Sequence, residues 1–348
     1  PMNIFNPEHD LCMANGDANF VPPFSALEFG RDCAGLTSYI QKAGDGEIVP
    51  WGWDAVLKQR LVKRGVPVSS LPSDEALDEI RRLSRRGIAA AAGAFVNANV
   101  SDSMLRPDNF VREVFRVDEA VSAVEEFADA VFKAPLSGSG KGLRWARRGE
   151  LSASDLGWCK NIIARQGSLM VEKRLEVVQD FAMLFHVGPS EDSGNSVNFE
   201  GYSLFFNDNG IYKGNVLSDD AQILSELSGY VPETLIVNVK ATLTLFLERE
   251  FSGRYSGFVG VDMFIYREAE QSSFRLAPVV EINVRMTMGL LANRVYRRLG
   301  RDFGDGRYVM TVELSPREGE LYSRRSSYLL ALTEITPSTK YAVVVKER

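Results

Sequence analysis

The sequence predicts an α/β protein, with a small parallel-sheet domain preceding two α+β lobes, and three features predict it. Short apolar strands alternate with amphipathic helices from Asn3 to Val100, a glycine-rich loop follows a strand near Lys133, and two apolar strands between Gly257 and Val284 form a hairpin. The expected domains are 1–100, 101–172 and 173–348.

In the first segment a strand near Asn3–Phe5 is followed by a helix near Ser25–Lys42, a strand at Glu47–Trp51 and a helix at Asp54–Arg64. Ser73-Asp74-Glu75 opens a helix running through Arg86, with Leu77, Ile80 and Leu83 on one face. The apolar run Ile88–Val96 reads as a further buried strand. Asn6-Pro7-Glu8-His9-Asp10, with Asn15, Asp17 and Asn19, reads as a polar loop after the first strand, the edge where open α/β sheets bind ligands. It is either a substrate loop or an ordinary polar connection.

In the middle segment Asp118 can cap a helix whose Val121, Val124 and Ala128 share a stripe. A strand at Ala130–Ala134 then enters Pro135-Leu136-Ser137-Gly138-Ser139-Gly140-Lys141-Gly142. Beyond it come a strand near Leu143–Ala146, a helix near Asp155–Arg165 and a strand at Ser168–Glu172. Asn207-Asp208-Asn209-Gly210 is hairpin-turn chemistry, and Pro232 starts a helix through Phe251. Gly257–Tyr266 and Phe274–Val284 are the hairpin strands, and Tyr341–Val345 is a last strand.

Composition narrows the function. The net charge of -6 gives no overall basic field, and the basic clusters Arg81–Arg86 and Arg294–Arg301 alternate with apolar residues, as solvated helix faces do. Nucleic acid is therefore not an expected partner. The 3 cysteines have no Cys-x-x-Cys spacing, which predicts a reducing compartment. No basic-then-apolar leader opens the sequence and no stretch approaches the ~18 apolar residues of a membrane helix, so the expected location is the cytoplasm. The 2 histidines, His9 and His186, are too few for a zinc cluster, and no Gly-x-Ser-x-Gly elbow is present.

The strongest chemical signal is Glu281-Ile282-Asn283-Val284-Arg285, because side chains two apart on a strand share a face. A turn centred between Gln271 and Ser272 puts Asp262 opposite Glu281, so that two carboxylates and an amide converge. Like charges facing each other across strands need a cation between them. Magnesium, which prefers oxygen ligands and bridges them to phosphates, suits the cluster. A lone Glu-x-Asn is usually a solvent-facing pair, but the flanking Val259, Val261, Phe264, Val279 and Val280 make this hairpin look buried. Lys133 ahead of the glycine loop reads either as a phosphate grip or as an incidental lysine before an exposed turn. The loop is not a Walker A motif, since Gly142 follows Lys141 where Ser or Thr is required.

Taken in order, Lys133 with its glycine loop, the strand ending Glu172-Lys173-Arg174-Leu175-Glu176, Asp262, and Glu281-Ile282-Asn283-Val284-Arg285 resemble the ATP-grasp superfamily. The resemblance implies an ATP-grasp fold in which Lys133 and Ser137, Gly138, Ser139, Gly140, Lys141 and Gly142 hold the phosphates of ATP. Glu172–Leu175, with Glu176, would contact adenine and ribose. Asp262, Glu281 and Asn283 would bind Mg²⁺, expected as two ions with Mn²⁺ an alternative, and Arg285 would lie at the reacting phosphoryl group.

The implied reaction is ADP-forming ligation of a small-molecule carboxylate to a nucleophile, foremost an amine, through an acyl phosphate. A small-molecule kinase and a non-catalytic nucleotide-binding module are the alternatives, and a homo-oligomer is compatible with either. A second basic phosphate contact, expected before the loop, is open among Arg106, Arg112 and Arg116.

Overall fold

The computed structural model describes residues 1–138, 142–188, 196–208, 211–268, 273–300, 308–315 and 317–348. The turns predicted at Asn209–Gly210 and Gln271–Ser272 lie outside the described residues. Three sheets organise the chain, of 2, 4 and 8 strands.

The N-terminal part contains β1 (Met2–Ile4), α1 (His9–Asn15), α2 (Phe24–Asp32), α3 (Thr37–Ile40), β2 (Ile48–Pro50), α4 (Ala55–Lys63), α5 (Asp74–Leu83) and α6 (Arg86–Asn99). β1 and β2 pair in parallel, as the alternation predicts, and Asp54 and Ser73 cap α4 and α5 through their side chains. Three expectations fail here. The single helix over Ser25–Lys42 is two, because the chain turns inward at Cys33 to bury Cys33 and Leu36 completely against Phe5 and Trp51. The polar loop over residues 6–19 contains α1.

The third failure matters most. Ile88–Val96 is not a strand but the body of α6, so the parallel sheet has 2 strands only. Alanine is the best helix former, and Ala89, Ala92, Gly93 and Val96 make a buried stripe at helical spacing. Their small size lets α6 lie close on β11 of the large sheet, while Phe95 meets Phe246 of α10 with ring centroids 5.7 Å apart. A Cβ added at Gly93 would meet nothing nearer than Val279 at 4.0 Å. Gly93→Ala is therefore expected to stabilise the protein by about 1 kcal/mol, read as a higher urea midpoint, whereas a strand there would give no such gain.

The second part contains β3 (Val111–Val114), α7 (Val117–Phe127), β4 (Asp129–Lys133), β5 (Leu143–Arg147), α8 (Ala153–Gln166) and β6 (Leu169–Lys173), with strand order β3-β6-β4-β5. α7 starts one residue before Asp118, which is no cap: Arg116 stands at the N-cap position, and Asp118 pairs with its side chain. The buried face is Ala120, Ala123, Val124 and Phe127, while Ala128 is the exposed C-cap. Strand alternation sends Ala130, Phe132, Leu169 and Val171 into the core beneath α7 and α8. Val131, Lys133, Met170 and Glu172 are left on the opposite face.

The remaining chain forms β7 (Glu176–Val187), β8 (Val197–Asp208), β9 (Ile211–Leu217), α9 (Asp220–Leu227), α10 (Glu233–Phe251), β10 (Gly257–Arg267), β11 (Phe274–Asn283), α11 (Met288–Leu299), β12 (Tyr308–Leu314), α12 (Glu320–Arg324), β13 (Leu330–Ala331) and β14 (Tyr341–Glu347). The sheet runs β11-β10-β7-β8-β9-β12-β14-β13. Phe181, Met183, Phe185, Val259, Val261, Met263 and Ile265 pack on one face with α6 and α10. Ala182 and Leu184 point the other way, toward α11 and the N-terminal Phe5 and Trp51. Asp262 alternates with Val261 and Met263 and so lies on this second face. Among the described residues no helix is long and apolar enough to cross a membrane.

Candidate active site

The predicted pairing is observed at the site, where Asp262 pairs directly with Glu281 and Gly260 with Asn283, but a register shift between Asp262 and Phe264 sets the rest of the hairpin apart from the predicted register, with Phe264 opposite Ala277. The Asn283 amide donates to Asp262 Oδ2 at 2.9 Å. Burial, followed by the charge of Glu281, pushes the Asp262 carboxyl up to about 7. Two carboxylates and an amide thus share one partly covered spot. That oxygen-rich donor set fits magnesium.

Glu281 meets a residue the sequence reading assigned to a solvated face. Arg86, at the start of α6, brings Nη2 to 3.0 Å from Glu281 Oε1 with its side chain 8% exposed. Its backbone N–H donates to the carbonyl of Pro135 at 3.0 Å, and Nη2 reaches Ser137 Oγ at 3.5 Å. Its Nε is buried without a hydrogen-bond partner among the described residues. The Arg81–Arg86 cluster is therefore not a purely solvated face. Reading Ile88–Val96 as a helix would have placed Arg85-Arg86 at its start, which is the signal that could have found this residue.

Lys133 and Glu172, on the inner face of the small sheet, form an ion pair with Nζ 2.7 Å from Oε2. Burial lowers the Lys133 pKa; the Glu172 carboxyl, which burial alone would raise, is held below its ordinary value by Lys133 and Arg106. Arg106 Nη1 lies 3.9 Å from Glu172 Oε2, while Nη2 donates to the Val279 carbonyl at 2.8 Å. Arg112 and Arg116 pair with Glu126 and Asp118 of α7, on the side of the small sheet that the helices cover. Of the three arginines left open by the sequence, only Arg106 reaches the cleft.

The rest of the 172–176 segment does not converge there. Lys173 lies over the Phe110 ring and Arg174 over Trp145, Leu175 is half-buried, and exposed Glu176 pairs with Arg267 at 3.4 Å. The carboxylate that does share the Asp262 face is Asp180, in register with Phe264 and accepting from Asn207 at 3.3 Å. Burial pushes it up to about 6. The spacing of Asp180 from Glu172 carried no motif, so the sequence reading passed it over.

The glycine loop is pinned at both described ends. The Gln166 side chain exchanges hydrogen bonds with the Leu136 backbone, and the Ala134 N–H donates to the Gly142 carbonyl at 2.9 Å. A Cβ on Gly142 would come within 2.2 Å of Ser137 Cβ, so only glycine permits this close return. Gly138 packs against Asp10 and Leu11 of α1. Ser139, Gly140 and Lys141 lie outside the described residues.

Arg285 shares the face of Glu281 and Asn283 and receives a carboxylate from the other end of the chain. Its Nε and Nη2 donate to the two Asp10 oxygens, each at 2.7 Å; Nη2 also donates to Asn283 Oδ1 at 3.0 Å and Nη1 to the Met286 carbonyl at 3.0 Å. Asp10 is held in place by its neighbours: His9 Nδ1 lies 3.3 Å from Asp54 Oδ2, and Asn6 donates to the Gly52 carbonyl at 2.8 Å. A Cβ on Gly52 would strike the His9 ring at 2.8 Å. The 6–10 segment thus belongs to the site, although its role was open from sequence.

No protein-family model matches the sequence, and no curated protein is significantly similar to it. Solved structures are similar in fold. N5-carboxyaminoimidazole synthetase from Staphylococcus aureus, complexed with ADP, matches with a TM-score of 0.50 at 14% identity, covering 100% of this chain and 92% of that one. An ADP complex of N5-carboxyaminoimidazole ribonucleotide synthetase matches with a TM-score of 0.50 at 15% identity and the same coverage, 100% and 92%.

Proposed function

We propose that this chain, whose fold is that of the ATP-grasp enzymes, is an ATP- and magnesium-dependent ligase that activates a small-molecule carboxylate as its acyl phosphate and passes it to a nucleophile, foremost an amine. One observation carries the reading: Glu281 of the Asp262–Glu281–Asn283 cluster pairs with the buried Arg86 of α6, and the charge of that arginine reaches the Lys133–Glu172 pair of the small sheet. Buried cations gathered beside a carboxylate pair match a nucleotide's phosphates with their metal. Both solved relatives described above bind ADP, which agrees with a nucleotide cleft here.

The nucleotide would lie between segments 101–172 and 173–348. Lys133 and Arg86 would take the phosphates, with Ser137–Gly142 covering them, and Arg86 answers the second basic contact that sequence reasoning sought further along the chain. Arg106 backs Glu172 at the adenine end, and Asp180 replaces Glu176 as the carboxylate able to accept from ribose hydroxyls. Magnesium, when bound by Asp262, Glu281 and Asn283, supplies charge that neutralises the transferring phosphoryl group. Arg285 steadies the acyl oxyanion. The amine then forms the new C–N bond as the acyl C–O bond to phosphate breaks, and inorganic phosphate leaves.

The test begins with melting temperature in ATP, in Mg²⁺ and in both, because a ligand of the folded state raises it. A rise with Mg·ATP, followed by ADP release that requires an acid and an amine together, is the expected result. ADP release with a single substrate and a phosphorylated product would make the protein a kinase instead. No rise under any condition would remove the nucleotide reading altogether.

A further inference from the structure

The Asp10–Arg285 pair spans the length of the sequence, and its hydrogen bonds are unevenly distributed. Guanidinium has five N–H groups, and its Nε–Nη2 edge is the fork that grips a carboxylate or phosphoryl group with two parallel bonds. In this protein Asp10 fills that edge completely, with both contacts at 2.7 Å. An incoming oxyanion has no fork left on Arg285.

The two partners are anchored differently. Arg285 keeps contacts to Asn283 Oδ1 and the Met286 carbonyl that do not involve Asp10. The Asp10 oxygens, among the described residues, accept only from Arg285. Loss of the pair would therefore leave the guanidinium in place while freeing the carboxylate to turn. The Asp10 side chain is 25% exposed, so it has solvent to turn into. The side chains of Asn6 and His9 anchor the chain just ahead of it to Gly52 and Asp54, which keeps the carboxylate within reach of Arg285.

We propose that Asp10 is a built-in placeholder: its carboxylate occupies the oxyanion site on Arg285 until a substrate carboxylate or phosphoryl group displaces it. The inference rests on the reading of Arg285 as an oxyanion receiver. Its consequence is that Asp10 competes with anions for Arg285, whereas a residue that merely orients Arg285 would aid their binding. The two roles have opposite signs. A placeholder also keeps a buried cation paired when substrate is absent, avoiding the cost of an uncompensated charge.

Inorganic phosphate is the probe, titrated by calorimetry at constant ionic strength into wild type, Asp10→Asn and Asp10→Asn/Arg285→Ala. Asp10→Asn is expected to bind phosphate at least tenfold more tightly than wild type, with the gain lost in the double variant. Equal or weaker binding in Asp10→Asn would overturn the proposal. Should that variant fail to fold, carbon NMR of wild type labelled at the aspartate carboxyl carbon decides, with the Asp10 signal assigned from its absence in Asp10→Glu. Phosphate is expected to shift that signal, and an unmoved signal at saturating phosphate would refute displacement. Mg·ATP binding by wild type is measured alongside. Its absence would defeat the nucleotide reading, while a normal Mg·ATP response with unchanged phosphate affinity in Asp10→Asn would defeat only the placeholder.

Discussion

Glu281→Gln is expected to lower Mg·ATP-dependent turnover by at least about a hundredfold, and to remove the rise in melting temperature that Mg·ATP gives the wild type. The substitution keeps the shape of the side chain and an oxygen for the Arg86 contact at 3.0 Å. What it removes is one of the two facing charges that make the site attractive to a divalent cation. Because Asp262 is held near 7 by burial and by Glu281 itself, the neutral glutamine also lets Asp262 ionise more readily. Because the buried Arg86 loses its counter-charge, the variant should also lose some stability, and denaturant unfolding separates that loss from the failure at the chemistry. Turnover within twofold of wild type would take Glu281 out of the site.

Lys133→Ala is expected to cost about 3 kcal/mol of stability, read by denaturant unfolding, and at least tenfold in ATP affinity. The two losses have separate origins. Stability falls because Glu172, which is 8% exposed at its side chain, keeps its charge without its nearest partner, Arg106 at 3.9 Å being the remaining cation. Affinity falls because the phosphates lose a point charge. A double variant, Lys133→Met with Glu172→Gln, separates them: much of the stability should return, since neither buried charge remains, while ATP affinity should not. Full ATP affinity in the double variant would show that Lys133 is structural only.

The convergence of Asp262, Glu281 and Asn283 was legible because strand geometry is simple. A period of two and an assumed hairpin centre set Asp262 against Glu281, and that pairing is observed, although a register shift beyond Asp262 that the sequence does not signal changes the pairing nearer the turn. Lys133 was legible for a related reason, as the last residue of a strand entering glycines. Residues brought in by helices from elsewhere were not. Arg86 sits in an arginine-rich stretch that looks like any solvated face, and its burial depends on how α6 packs on β11. Asp10 meets Arg285 across 275 positions of sequence, a distance over which no periodicity carries information.

The misreading of Ile88–Val96 shows where pattern reasoning runs out. A short run of apolar residues fits a buried strand and a buried helix equally well, and the βαβ rhythm before it favoured a strand. The weight of alanine, at positions 89 to 92 and again at 94, was the better guide, since alanine favours helix by propensity and contributes little to a pleated surface. Likewise Glu176 looked like part of the charged strand end but lies exposed beside Arg267, while Asp180, four residues on, faces the cleft.

α6 has a mechanical consequence. It lies on the large sheet with Gly93 over Val279 of β11, and Phe95 meets Phe246 of α10, yet its first residue is tied to the small lobe by the bond from the Arg86 N–H to the Pro135 carbonyl, 3.0 Å long. If the small lobe swings outward while Arg86 stays with Glu281, the bonds that must open are this one, the Arg86 contact to Ser137 Oγ and the Arg85 bonds to the Gln166 carbonyl and Ser168 Oγ. A nucleotide bridging Arg86 and Lys133, as proposed above, would hold those contacts closed.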